Sequence, residues 1–375
     1  MINKIPLFKP CLTNDIHRSI NDVLKSGWLS SGNVSVNVEN EMKRLTNARY
    51  CTSVSSCTSG LEIILEYLNL TESEEIIIPT WTFVSVANVC SKTKAKLIFV
   101  DCDEHTFNLN ITDLKMKITD KTRVIIFPEY GGLISDVEEI RSISKLNNIY
   151  VIEDCAHSIG AKYNEEFAGN IFDAASFSFY ANKIIGGAEG GAITTNDKEL
   201  YNFANQYRFN GMSNNAIERY KISGNSLYDV HYKGIKANLS DIHASLILPQ
   251  LVDIENIKKQ RTVLAENYNV LFSKCSYINI PLNSENRVWW NYQIVINNSK
   301  IDRNNLINYL KMQGIGTSIH FNPIHKYKVY NTNVILPVSE EMAQKVVSIP
   351  FYIGLSYKEQ ELVVKYIVNY IEENL

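Results

Sequence analysis

Four short runs constrain this chain more than anything else in it: EEIIIP at 74–79, KAKLIFV at 94–100, TRVIIFP at 122–128 and YVIED at 150–154. Each carries a nearly unbroken apolar stretch too short for an ordinary helix. Such runs fit strands covered on both faces. Helix-length amphipathic segments separate or adjoin them, among them CTSGLEIILEYLNL at 57–70 and VEEIRSISKLNN at 137–148. Strands alternating with such helices predict a mostly parallel sheet with crossover helices. In open sheets of this kind ligands sit beyond the carboxyl ends of the strands, so the polar residues that end these runs are the ones to follow.

Other segments extend the pattern. NDIHRSINDVLKS at 14–26 places Ile16, Ile20, Val23 and Leu24 on one helical face, with Gly27 as its stop. ASFSFY and GGAITTND read as strands on either side of a glycine-rich loop. After about residue 250 the character changes. One long helix is expected over 248–272, a strand over RVWWNYQIVI, a helix over NNLINYLKMQ and a strand over GIGTSIHF. A closing helix, ELVVKYIVNYIEEN, has Val363, Val364, Ile367 and Ile371 in phase. The expected division is a large domain over 1–250 and a smaller α+β domain over 251–375.

Composition narrows the function classes. The chain has 375 residues, 45% hydrophobic and 21% charged, with a formal net charge of -3. That balance speaks against a nucleic-acid binder, which needs clustered positive charge. No run approaches the ~18 apolar residues of a membrane span, and the start lacks a secretory pattern. The seven cysteines form no CxxC pair and read as free thiols of a reducing cytoplasm.

The loop ANKIIGGAEGG at 181–191 sets Lys183 ahead of four glycines and Glu189. A lysine amine is a nucleophile only when deprotonated, so a catalytic lysine needs surroundings that lower its pKa. Asp154 ends the strand YVIED; it either caps the next helix or faces a protonated ring nitrogen. His157, three residues on, is expected to share a face with Asp154 on a first helical turn. In SSCTSGLE a strand stops and a helix begins at Ser56–Ser59, the arrangement by which a helix N-terminus holds phosphate. A lysine for an imine, an acid for a ring nitrogen and a phosphate cradle together make a pyridoxal phosphate site.

The order CTSG, PTWTF, VIEDCAHS, SFSFYANK, GAEGGA, ANLSDIHASLILPQL and GIGTSIHFNPIH resembles the DegT/DnrJ/EryC1/StrS family of sugar aminotransferases, from GWLSSG at 27–32 to the last helix. The resemblance implies the fold type I architecture of the aspartate aminotransferase superfamily, with pyridoxal 5'-phosphate as cofactor. It makes Lys183 the covalent anchor and Asp154 the partner of the pyridine nitrogen. His157 falls where a side chain touches the phenolic oxygen, and Ser178, Thr58 and Ser59 fall where the phosphate is held. Phe83 matches the aromatic that stacks on the cofactor ring. Asn238 matches an asparagine that reaches the phosphate of the neighbouring subunit, implying a homodimer with shared sites. Glu189, His320 and His325 fall near the substrate mouth.

The implied activity moves an amino group from an amino acid, L-glutamate by analogy, to a nucleotide-linked keto-sugar. A 4-keto-6-deoxy hexose is the expected acceptor, with a 3-keto sugar or a non-catalytic ligand-binding role as alternatives. Such enzymes serve surface polysaccharide, lipopolysaccharide or O-antigen biosynthesis. Ala188 and Cys57 stand where the family usually has glycine, and Pro128 and Glu129 stand where a histidine often precedes the Tyr-Gly. No metal is expected. The acidic residues Asp101, Asp103 and Glu104 read as a solvated turn, and the spacing of His320 and His325 matches no metal motif.

Overall fold

The structure is a computed structural model that describes residues 4–213, 228–330 and 332–375. The apolar runs are strands: β1 (Tyr50–Val54), β2 (Glu75–Pro79), β3 (Lys96–Val100), β4 (Thr122–Pro128) and β5 (Tyr150–Asp154). A small hairpin of β6 (Lys162–Tyr163) and β7 (Glu166–Phe167) comes next, then β8 (Ala174–Ser178) and β9 (Gly191–Thr195). Seven of these form one sheet in the order β1-β9-β8-β5-β4-β2-β3. β9 pairs antiparallel with both β1 and β8, and the remaining pairs are parallel. β8 and β9 are adjacent, so the glycine-rich loop between them returns the chain directly and needs no crossover helix.

This topology brings Val54, Pro79, Pro128, Asp154 and Ser178 to one edge of the sheet. Both faces are covered. Ile76, Ile78, Val124, Ile126 and Ile152 pack under the helix Cys57–Leu68 in one cluster. Phe127, Val151, Ala175 and Phe177 point the other way, into a second cluster. The alternation obeys the period of two along each strand.

In the last third, β10 (Ile278–Asn279), β11 (Tyr292–Ile296) and β12 (Val346–Ile349) form an antiparallel sheet. The helices Ile254–Phe272, Arg303–Met312 and Tyr357–Glu373 cover it. The closing helix buries Val363, Val364, Ile367 and Ile371, as its period requires. Ile5 packs in the same cluster. Its N–H donates to Gly314 O at 2.9 Å, and Gly316 N–H donates back to Ile5 O at 2.8 Å.

Four local readings are corrected. The expected long helix is two, Asp241–Val252 and Ile254–Phe272, broken at Asp253, whose ψ of 15° leaves the helical range. Pro249 lies inside the first of them, lacking only the N–H that would reach Ser245 O, and that helix runs on to Val252. GIGTSIHF is no strand: Ile315 and Ser318 make only isolated bridges, to Ile5 and Ser348. On the helix Asn14–Ser26, Ile16 and Val23 are buried, but Leu24 is exposed. Asp101 is not solvated. It is buried, and its carboxylate accepts from the N–H groups of Val338 and Ser339 at 2.9 and 2.8 Å, capping the helix Pro337–Lys345.

Candidate active site

A cavity of about 410 Å³ opens at the carboxyl edge of the sheet. Thr58, Phe83, Asp154, His157, Ser178, Lys183, Glu189 and His320 all line it. Eight of the expected site residues, drawn from segments more than 250 positions apart, therefore share one hollow.

Lys183 is delivered by the loop between β8 and β9. Phe179 N–H donates to Gly190 O at 2.8 Å and Gly187 N–H to Phe179 O at 2.7 Å, so the loop is tied at its neck. Glycine is needed where it passes other chain segments. A Cβ on Gly191 would meet the Ser56 carbonyl carbon at 2.5 Å, and one on Gly187 would meet Ile247 at 2.3 Å. Ala188 nonetheless sits at φ 62°, a left-handed conformation that L-residues adopt at a cost. Lys183 Nζ lies 4.3 Å from the centroid of the Trp290 ring. Burial lowers its pKa to about 8, against the opposing pull of Asp154 and Cys57. The free amine is thus brought within reach of neutral pH.

Asp154 ends β5 and is buried. Burial raises its pKa, while Lys183, Ala156 N–H, Cys57 and Thr82 favour the carboxylate. Its Oδ1 accepts from Ala156 N–H at 3.2 Å and lies 3.6 Å from Cys57 Sγ. The segment after it is a turn and not the expected helix. His157 does reach the cavity, but through stacking: its ring lies on Trp290 with centroids 3.5 Å apart and planes 5° apart. Burial and the Lys183 charge keep it neutral, well below the usual histidine range.

The phosphate-type end is the start of the helix Cys57–Leu68. Ser56 caps it, accepting from Ser59 N–H at 3.1 Å. Ser59 commits its hydroxyl to Ser55 and Ser56 and does not line the cavity; Thr58 does. Gly60 lets this helix close on β8, since a Cβ there would strike Ser176 Oγ at 2.2 Å. Ser178, at the end of β8, lines the same cavity.

Four more expected residues stand apart from the cavity wall or differ in setting. Asn238 does not line it; the residue bridges to Val54 and donates to Ser31 Oγ at 2.5 Å. His325 is buried elsewhere, bonded to Thr80 Oγ1 at 2.7 Å and to Glu340 Oε1 at 3.1 Å. His320 lines the cavity with its Nδ1 on Ser348 Oγ at 2.8 Å, and burial holds its pKa down to about 4. Phe83 is 57% exposed at the mouth, tilted toward Phe321 with centroids 6.1 Å apart.

Cys57, Thr82 and Tyr180, from the runs CTSG, PTWTF and SFSFYANK, also line the cavity without having been singled out for the site, and so does Trp290, which no motif announces. Trp290 is held from behind: Arg261 donates to the carbonyls of Trp289 and Trp290 at 2.5 and 2.6 Å, and the indole N–H donates to Asn182 O at 3.1 Å. The donor set fits pyridoxal phosphate. A helix N-terminus with hydroxyls suits the phosphate, a buried carboxylate suits the ring nitrogen, and an amine of lowered pKa suits the aldehyde.

Comparison with known proteins gives the same answer. The sequence profile of the DegT/DnrJ/EryC1/StrS aminotransferase family matches residues 10–368. The chain belongs to that family. Members similar to it include the spore coat polysaccharide biosynthesis protein SpsC of Bacillus subtilis, 30% identical over 94% of this chain and 93% of that one. The GDP-perosamine synthase of Escherichia coli O157:H7 is 30% identical over 95% of both chains. A putative sugar aminotransferase of Streptococcus pneumoniae, solved in its PMP form, superposes with a TM-score of 0.91 at 26% identity, covering 99% of this chain and 100% of that one. Its PLP form superposes with a TM-score of 0.90 at 25% identity. This DegT/DnrJ/EryC1/StrS chain is therefore a pyridoxal-phosphate-dependent aminotransferase of the α/β fold with a mostly parallel central sheet. Among the described residues no helix is long and apolar enough to cross a membrane.

Proposed function

We propose that the protein moves an amino group from L-glutamate to a nucleotide-linked keto-sugar, a 4-keto-6-deoxy hexose, in the making of a surface polysaccharide such as an O-antigen. The observation that carries this reading is the pairing of Lys183 and Asp154 in one cavity that also opens onto a helix N-terminus. The sugar class is supported by the activities that the similar proteins are named for, a perosamine synthase and a spore-coat polysaccharide protein.

Pyridoxal phosphate, when bound, supplies the electron sink that lets a C–H bond beside nitrogen break. The rest falls to this chain. Thr58, Ser178 and the first turn of the helix bind the phosphate. Asp154 holds a proton on the ring nitrogen. Lys183 Nζ accepts the proton lost from the donor α-carbon and returns it during transfer to the acceptor. The stacked pair His157 and Trp290 walls the cavity beside that amine and excludes water from it. Glu189 and His320 stand on the substrate side.

A homodimer with shared sites fits two features: Phe83 and Tyr180 are left exposed at the mouth, and Asn238 is turned from its own cavity. A cytoplasmic setting fits seven cysteines that are all free. The test is direct. Purified protein is given pyridoxal phosphate, L-glutamate and a panel of nucleotide-linked keto-sugars, and products are weighed by mass spectrometry. A ketone-to-amine mass change with the 4-keto sugar is expected. Amination of only the 3-keto isomer would correct the position, and no amine in any product would overturn the reading. Lys183→Ala should lower the rate by at least about 10²–10⁴-fold, the usual contribution of a positioned base.

A further inference from the structure

Cys57 is the first residue of the helix Cys57–Leu68, at the point where β1 hands over to it. Its side chain is buried, and the residue lines the same cavity as Lys183. Sγ lies 3.6 Å from Asp154 Oδ1 and 3.4 Å from the Ser176 carbonyl. Both neighbours are acceptors, so the sulfur must be the donor in whichever contact it makes. Burial and the Asp154 charge push the thiol well above its usual range, so its proton stays on.

The Ser176 carbonyl is slightly nearer, but the carboxylate is charged and so the stronger acceptor for the single thiol proton; with that proton turned to it, Oδ1 of Asp154 is met from two sides, by the Cys57 thiol and by Ala156 N–H at 3.2 Å. That leaves Oδ2 as the oxygen for a ligand in the cavity. A carboxylate gripped at one oxygen cannot swing about its Cβ–Cγ bond, and orientation is what a buried acid contributes to a ring nitrogen.

We propose that Cys57 is a positioning residue: its thiol clamps Asp154 at Oδ1 and so aims Oδ2 at the pyridine nitrogen of the cofactor. The inference rests on the role given to Asp154 above.

The experiment is a cofactor-binding titration of the apoprotein, monitored by absorbance, for the natural chain, Cys57→Ser and Cys57→Ala. Cys57→Ala should bind pyridoxal phosphate about three- to tenfold more weakly, the scale of one weak hydrogen bond to a charged group. Cys57→Ser keeps a donor and should restore most of the affinity. The same titration with the analogue whose ring nitrogen is replaced by C–H isolates the mechanism. With it, natural chain and Cys57→Ala should bind alike, because there is no nitrogen for Asp154 to meet. Thermal midpoints without cofactor report whether Cys57→Ala is folded, and Cys57→Ser carries the test if it is not. Equal affinity of Cys57→Ala and the natural chain for pyridoxal phosphate would overturn the role of Cys57 alone, as would an undiminished penalty with the analogue. A natural chain that takes up no cofactor would overturn this role together with the function on which it rests.

Discussion

Behind Asp154, Glu153 points to the opposite face of the sheet and meets Glu129 and Cys155, with ligand atoms of all three within 4.8 Å. Glu153 is well served, accepting from Gly169, Ile171 and Phe172 N–H groups at 2.7, 2.9 and 2.9 Å. Glu129 is 1% exposed, and neither of its oxygens has a partner atom in hydrogen-bonding geometry. Two carboxylates cannot both ionise there, and Glu129 is the one that keeps its proton, since burial and the Glu153 charge push it well above its usual 4.5. A raised folded pKa stabilises below the unfolded value and loses that contribution as pH climbs toward the folded one. Glu129→Gln removes the titration. The variant should therefore match the natural chain near pH ~4 and exceed it by on the order of 1–3 kcal/mol near pH ~8. Urea denaturation at the two values checks this; a variant less stable at the higher pH would refute it. Lys183 titrates at higher pH with the opposite sign. Its pKa falls from 10.5 to about 8 on folding, so the stability of the natural apoprotein relative to Lys183→Met should rise between those values when the comparison is carried up to pH ~10.

At the level of elements, two aspartates cap helices that lie far from them in the sequence. Asp241 accepts from Gly32 and Ser35 N–H at 2.8 and 2.9 Å and from Val34 N–H at 3.2 Å, closing the start of the helix Asn33–Thr46. Asp101 does the same for the helix Pro337–Lys345. Asp241→Ala should cost more than an ordinary cap, about 2–3 kcal/mol, because two buried donors and one half-buried donor lose one acceptor. A chemical-denaturation midpoint that does not move would refute it. These caps are not legible in the sequence, since each joins residues more than 200 positions apart and leaves no local pattern. Legible features are those set by period or by neighbours on one element. The strand YVIED, the helix after CTSG and the lysine loop carry their own signals, and with them come Asp154, Thr58, Ser178 and Lys183. Trp290 is hidden because RVWWNYQIVI reads as a strand throughout. Only Tyr292–Ile296 is one, and the residues before it reach back to stack on His157. The family resemblance draws His325 toward the mouth together with His320, while its real partners, Thr80 and Glu340, lie on other elements.

At the level of the whole molecule, the site invites a partner. A chain of 42.7 kDa should travel in light scattering at about twice that mass, as two-fold pairing is the commonest assembly. Mixing gives a sharper result. If Asn238 serves the neighbour, inactive Lys183→Ala and weakened Asn238→Ala chains should regain activity when co-refolded. In the mixed dimer one site has its own lysine and its neighbour's natural asparagine. Absence of recovery in a confirmed mixed dimer would refute the exchange. The contact of Ile5 with Gly314 and Gly316 has a temporal consequence as well. Made at about 5–20 residues per second, the leading strand-like residues wait roughly 15–60 seconds on the ribosome before their mates emerge. The last layer of this protein cannot close while it is being synthesised until nearly all of it has been translated.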